Sequence, residues 1–188
     1  MDNKKLLKLA SFIPILAFNF NLTLADLSSQ FGFVKTVGVV EAINLEKENN
    51  KEALILQSRA QAIDAYFSIR NMPLAGYGLK MVEEAQKHNL DWRLLPAISV
   101  QESGGGKHAT FRCKNNPFGW ASCNVKFESI DEAIEVVALN LSGKNPKTEK
   151  YYKDNEIKEK LYFYNGTVVS HYPQTILSIM DKFDTLNE

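Results

Sequence analysis

Apolar positions along the chain repeat with the period of a helix over most of its length. From about residue 52, Leu56, Ala60, Ile63 and Phe67 recur at steps of four, three and four, the spacing of one helix face. Asn71-Met72-Pro73-Leu74-Ala75-Gly76 breaks that helix with turn-forming residues. Met81, Val82 and Ala85 mark a second helix. Asp91 is placed to N-cap a third, which runs toward Glu102 and stops at Gly104-Gly105-Gly106. Pro96 falls in its early turns, so the helix either starts after Asp91 or kinks there. Ser129 and Glu132 form a capping-box pattern ahead of Ile130, Ala133, Ile134, Val137 and Leu141 at helical spacing, and Gly143 ends that helix. Ile157 and Leu161 predict another, and Ile176, Ile179, Met180 and Phe183 the last. Two stretches read differently. Thr36-Val37-Gly38-Val39-Val40 predicts a short strand, and the polar run from Glu46 to Lys51 a loop. Residues 107–128, with Asn115, Asn116, Pro117 and Gly119, predict an irregular or short-stranded lobe. The expected class is mainly α, about six helices around that small central lobe.

The N-terminus carries Lys4, Lys5 and Lys8, then a mostly apolar run from Leu9 to Phe20, then Thr23-Leu24-Ala25. This is the pattern of a secretory signal peptide cut after Ala25, with an uncleaved anchor as the alternative. The expected division is a signal peptide at 1–25, an N-terminal segment at 26–51 and a folded domain at 52–188. No apolar run reaches the roughly 18 residues of a membrane-spanning helix, so no stable span is expected after cleavage. The 22 basic and 22 acidic residues balance, and no basic stripe points to nucleic acid. Cys113 and Cys123 are the two cysteines; in an exported chain they are expected to pair. His88, His108 and His171 are scattered without ligand spacing, and neither a metal nor a cofactor is expected.

Glu102 is the residue with the most chemistry in prospect. Ile98 and Leu95 lie four and seven residues before it, which puts its carboxyl on an apolar helix face. It also stands at the helix C-terminus, where the macrodipole disfavours negative charge. Both effects raise a carboxyl pKa, and a carboxyl that holds its proton near neutral pH can act as a general acid. The plain alternative is a polar residue at a helix end, facing water. Three glycines after Ser103, where one would end a helix, suggest open space for a ligand to approach the backbone.

Leu94-Leu95-Pro96-Ala97-Ile98-Ser99-Val100-Gln101-Glu102-Ser103-Gly104-Gly105-Gly106-Lys107 resembles the catalytic segment of glucosaminidase-type and lytic-transglycosylase-type members of the lysozyme superfamily. Asn115-Asn116-Pro117-Phe118-Gly119-Trp120 resembles their second motif, Phe127, Ser129 and the helix from Asp131 the element that follows it, and Tyr151-Tyr152 and Tyr164-Asn165 loosely match their later aromatic positions. Ile63-Asp64-Ala65-Tyr66-Phe67 and Asn71-Met72-Pro73-Leu74 are similar to segments that precede this domain in exported bacterial proteins. The resemblance spans roughly residues 60–185. It implies a lysozyme-like fold, peptidoglycan glycan strands as substrate and Glu102 as the acid.

On that footing Ser103, Asn116, Trp120, Tyr151, Tyr152 and Tyr164 are the candidate substrate-binding residues. For the aromatic ones core packing is the competing role, and for Asn116 turn formation. Phe118 reads as core. Ser103 has no histidine placed to make it a nucleophile. Asn165-Gly166-Thr167 matches a glycosylation sequon, a three-residue pattern of little weight here. The sequence departs from a two-carboxylate glycosidase in offering no clear second acid: Glu128 alone lies between Glu102 and Ser129, just before a helix cap. Three functions follow: a hydrolase cutting at N-acetylglucosamine, a lytic transglycosylase leaving anhydro-muramic ends, or a non-catalytic glycan-binding envelope module.

Overall fold

A computed structural model describes residues 24–108 and 113–186. The elements are α1 (Leu24–Ile69), α2 (Gly78–Lys87), α3 (Leu94–Ser103), α4 (Ile130–Leu141), α5 (Glu149–Tyr152), α6 (Ile157–Leu161) and α7 (Tyr172–Asp184), with a 3-10 turn at Trp120–Cys123 and a π-helical turn at Tyr162–Gly166. The fold is mainly helical, and no strand occurs among the described residues. The chain divides into two compact units, residues 1–47 and 48–188. In the first, everything described is helix, so the strand expected at 36–40 is not formed. Its apolar run has no second strand to pair with, and a helix satisfies the backbone hydrogen bonds locally. The loop expected at 46–51 is helix as well: Glu and Lys are strong helix formers, and polarity alone does not make a loop. Residues 1–23 of the expected signal peptide lie outside the described residues. Among those described, no helix is long and apolar enough to cross a membrane.

The second unit is built around α3. Leu94, Leu95, Pro96, Ala97, Ile98 and Ser99 are all buried, so the first turns of this helix are enclosed, and only its C-terminal turn, with Gln101, reaches the surface. It packs most extensively on α7, through a core that includes Ile176, Met180 and Phe183. The α1 face expected from its spacing is present: Ala60, Ile63 and Phe67 are buried, with Ala62 and Tyr66 beside them. α1 ends at Asn71, which adopts φ +50°; Met72 N–H reaches Phe67 O at 2.8 Å and Asn71 N–H reaches Ser68 O at 3.0 Å, the paired bonds of a Schellman cap. Asp64 of α1 then accepts from the N–H groups of Gly76 (2.8 Å) and Gly78 (2.9 Å), capping α2 from a neighbouring helix.

Asp91 does not cap α3 as expected. It accepts from Arg93 N–H at 3.0 Å and from its Nε at 2.9 Å, and the helix begins at Leu94. Pro96 therefore stands in the first turn, where its missing N–H had no partner to lose. At the other end Gly105 and Gly106 leave no open space for a ligand. A Cβ on Gly105 would stand 2.7 Å from Met72 Sδ, one on Gly106 3.3 Å from Leu74, and Leu74 N–H donates to Gly105 O at 3.1 Å. They let the chain pack against the 72–74 turn. The capping pattern of α4 is half realised: Ser129 Oγ accepts from Glu132 N–H at 3.1 Å, while the Glu132 carboxylate reaches back to Glu128 N–H at 2.6 Å, one residue beyond the cap. Buried Lys160 donates to Leu141 O at 2.9 Å and to Tyr152 O, tying the C-termini of α4 and α5 together.

Candidate functional site

The described part of the central lobe is an irregular loop closed by a Cys113–Cys123 disulfide, Cα atoms 4.9 Å apart. Asn116 is its internal brace. The side chain is 1% exposed; its Nδ2 donates to Trp120 O and Val125 O, both at 3.0 Å, and its Oδ1 accepts from Trp120 N–H at 3.0 Å. Asn115 Nδ2 donates to Phe127 O (2.9 Å) and Glu128 O (2.7 Å), which fastens the loop to the approach to α4. Gly119, Ala121, Ser122 and Cys123 all have φ between +53° and +61°, conformations that cost L-residues about 1–2 kcal/mol each. The disulfide and the Asn116 bonds hold the segment in place against that cost.

This loop forms one wall of a cavity of about 640 Å³, within the size range of small-ligand sites. Glu102 lines it together with the aromatic Trp120, Tyr151, Tyr152, Phe163 and Tyr164 and the polar Asn140, Asn145, Lys147 and Thr148. The aromatic rings touch in series: Trp120 lies 5.6 Å from Tyr164 and 6.2 Å from Tyr152, and Tyr151 lies 5.5 Å from Phe163. Asn140 Oδ1 accepts from Asn145 Nδ2 (2.9 Å) and Thr148 Oγ1 (2.8 Å), so these three polar side chains order one another.

Glu102 is half-buried, and Tyr172 Oη donates to its Oε1 at 2.6 Å. Burial raises the carboxyl pKa above its ordinary value; the tyrosine bond, which favours the charged form, opposes this. Burial is thus the acting cause, and it arises from α7 and the 113–123 loop closing over the end of α3. Tyr172 is buried and stacks on Tyr164 with ring centroids 6.0 Å apart and planes 6° from parallel. Burial pushes its hydroxyl, and those of Tyr164 and Tyr152 (to about 12), upward, so all three are neutral donors at ordinary pH. Tyr164 Oη donates to Phe118 O at 2.6 Å, anchoring the loop to the π-helical turn. Gly119 supplies the last constraint. Its φ is +61°, and a Cβ there would stand 2.8 Å from Glu102 Oε2.

Of the residues singled out in the sequence, the structure brings Glu102, Trp120, Tyr151, Tyr152 and Tyr164 to one cavity. It places Ser103 and Asn116 elsewhere. Ser103 is 4% exposed, its single O–H shared between Pro117 O (2.7 Å) and Ser99 O (3.1 Å) and its Oγ accepting from Gly106 N–H (2.9 Å), so its hydrogen bonds go to the scaffold. Asn116 is likewise committed to its loop. Phe118 is fully buried, and Glu128 is exposed, outside the cavity lining. The sequence reading missed Tyr172, Gly119 and Phe163. Phe163 lies next to a named aromatic and was within reach; Tyr172 is 70 residues from Glu102, and no local pattern links them. Among the described residues no group of three or more His, Cys, Asp or Glu side chains could hold a metal ion. No protein-family model, curated protein or solved structure matches the chain.

Proposed function

We propose that the protein is an exported glycosidase of lysozyme-like fold that cleaves peptidoglycan glycan strands at N-acetylglucosamine, with Glu102 as general acid. The observation that carries this is a single half-buried carboxyl, raised in pKa, in the lining of a cavity rich in aromatic side chains. Pyranose rings present apolar faces that pack on aromatic side chains, and a protonated carboxyl beside them can deliver a proton to a glycosidic oxygen. The Glu102 and Asn-Pro-Phe-Gly-Trp motifs supply the substrate class by resemblance. The Cys113–Cys123 disulfide fits an oxidising, exported setting.

One observation favours the second reading, a lytic transglycosylase. Glu102 is the sole carboxylate lining the cavity among the described residues. A water nucleophile then has no facing base, and the substrate's own acetamido or hydroxyl group has to complete the displacement. Mass spectrometry of products from peptidoglycan separates the cases. Reducing ends support hydrolysis, ends lighter by one water support transglycosylation, and intact strands bound without cleavage support a binding module.

A further inference from the structure

We propose that Tyr172 is a positioning residue: by donating to Glu102 Oε1, its hydroxyl confines the acidic proton to Oε2, the oxygen that lies against Gly119. This deepens the glycosidase reading and rests on it for the use made of the proton, but not for the bond. A neutral carboxyl has one O–H and one carbonyl oxygen, and the carbonyl oxygen is the better acceptor. An oxygen that takes a 2.6 Å bond from a buried tyrosine is therefore the carbonyl one, and the proton resides on its neighbour. Among the described residues no hydrogen bond reaches Oε2. Gly119, which lines the cavity, leaves room beside that oxygen where any side chain would intrude, since a Cβ would stand 2.8 Å away.

Two further contacts hold the donor. Its ring lies nearly parallel to Tyr164, and Tyr172-Pro173 opens α7, so proline fixes the backbone that carries it. In the proton-transfer step the Glu102 Oε2–H bond breaks, a new O–H bond forms on the glycosidic oxygen, and the bond from that oxygen to the anomeric carbon breaks, the oxygen leaving with the electron pair as a sugar hydroxyl while water or the substrate's own acetamido or hydroxyl oxygen bonds to the anomeric carbon. The electron pair left on Glu102 is then stabilised by the Tyr172 bond already in place. The same bond serves both protonation states, which is why it fixes the proton's position without preventing its release.

The sign of the effect tests this. A tyrosine that donates stabilises the carboxylate, so its loss raises the carboxyl pKa; a tyrosine that accepted from the acid would have the opposite effect. Carboxyl-carbon NMR titration of the full chain, with Glu102 assigned through Glu102→Gln, reads this without reference to activity. In Tyr172→Phe, which keeps the ring stack, the Glu102 midpoint should move to higher pH. Tyr164→Phe removes another buried hydroxyl, one bonded to Phe118 O, and should leave the midpoint in place. If Tyr172→Phe fails to fold, 3-fluorotyrosine at position 172 strengthens the donor and should move the midpoint to lower pH. An unchanged or oppositely moved midpoint overturns the proposal. The basic limb of peptidoglycan clearance should follow the midpoint upward, with kcat reduced roughly tenfold and KM little changed. A moved midpoint in a protein that cleaves no glycan supports the bond and refutes the glycosidase reading; cleavage with an unmoved midpoint does the reverse.

Discussion

Gly119→Ala isolates the contact between the central loop and the candidate acid. Two costs arise at that position. Alanine at φ +61° is destabilised by about 1–2 kcal/mol relative to its ordinary backbone. Its Cβ would also stand 2.8 Å from Glu102 Oε2, where ordinary contact begins at 3.4 Å, so the oxygen must retreat by about 0.6 Å. The carboxyl is not free to do so, because its other oxygen is held at 2.6 Å by Tyr172. Weakening that bond costs about 0.5–1.5 kcal/mol with the carboxyl neutral and more with it charged. The expected total is about 1.5–3.5 kcal/mol, against about 1–2 kcal/mol for Gly104→Ala, whose φ is +63° and whose nearest neighbour is the exposed His108 side chain at 3.3 Å. Urea unfolding of both variants measures the difference. A cycle with Glu102→Ala should return a coupling of about 1 kcal/mol between positions 102 and 119. Equal costs for the two glycines, or a cycle that closes within about 0.5 kcal/mol, would refute the contact.

Glu102→Gln should abolish glycan cleavage while leaving the melting temperature equal or higher at neutral pH. The raised carboxyl pKa means that ionisation is penalised in the folded state, so the parent's deficit relative to the variant is absent below the unfolded-state pKa, grows as pH rises from there to the folded pKa and is constant above it; a deficit constant from pH 4 to 8 would contradict this. Asn116→Ala removes the side chain's three hydrogen bonds to the Trp120 and Val125 backbone and should cost about 1–3 kcal/mol by urea unfolding, with the Trp120 fluorescence red-shifted as the loop loosens. Replacing Cys113 and Cys123 by serine should cost about 2–3 kcal/mol, and reductant should lower the parent's melting temperature to that of the double variant; melting insensitive to reductant would show that the bridge contributes nothing.

Helix content and the order of most elements were legible in the sequence, because each is a local property. Spacing of three and four fixes which face of α1 is buried, and Ser129 caps α4 through a bond only three residues long. The aromatic residues from Trp120 to Tyr164 were visible by type, though not by their assembly around one cavity. Other features required the tertiary structure. Short-range cues misread 36–40 as strand, since a β-branched run becomes a strand only where a partner exists. They misread Gly105 and Gly106 as open space, since whether a glycine faces a void or a packed neighbour depends on residues far away in the chain, here Met72 and Leu74. They placed Glu102 on the face of Leu95 and Ile98, which are both fully buried, but could not show that α7 and the 113–123 loop are what lies against the carboxyl. The setting of the acid, with Tyr172 on one oxygen and Gly119 against the other, joins three segments far apart in the chain. Periodicity reports which side of an element is buried; only the packing of one element on another decides what it is buried against.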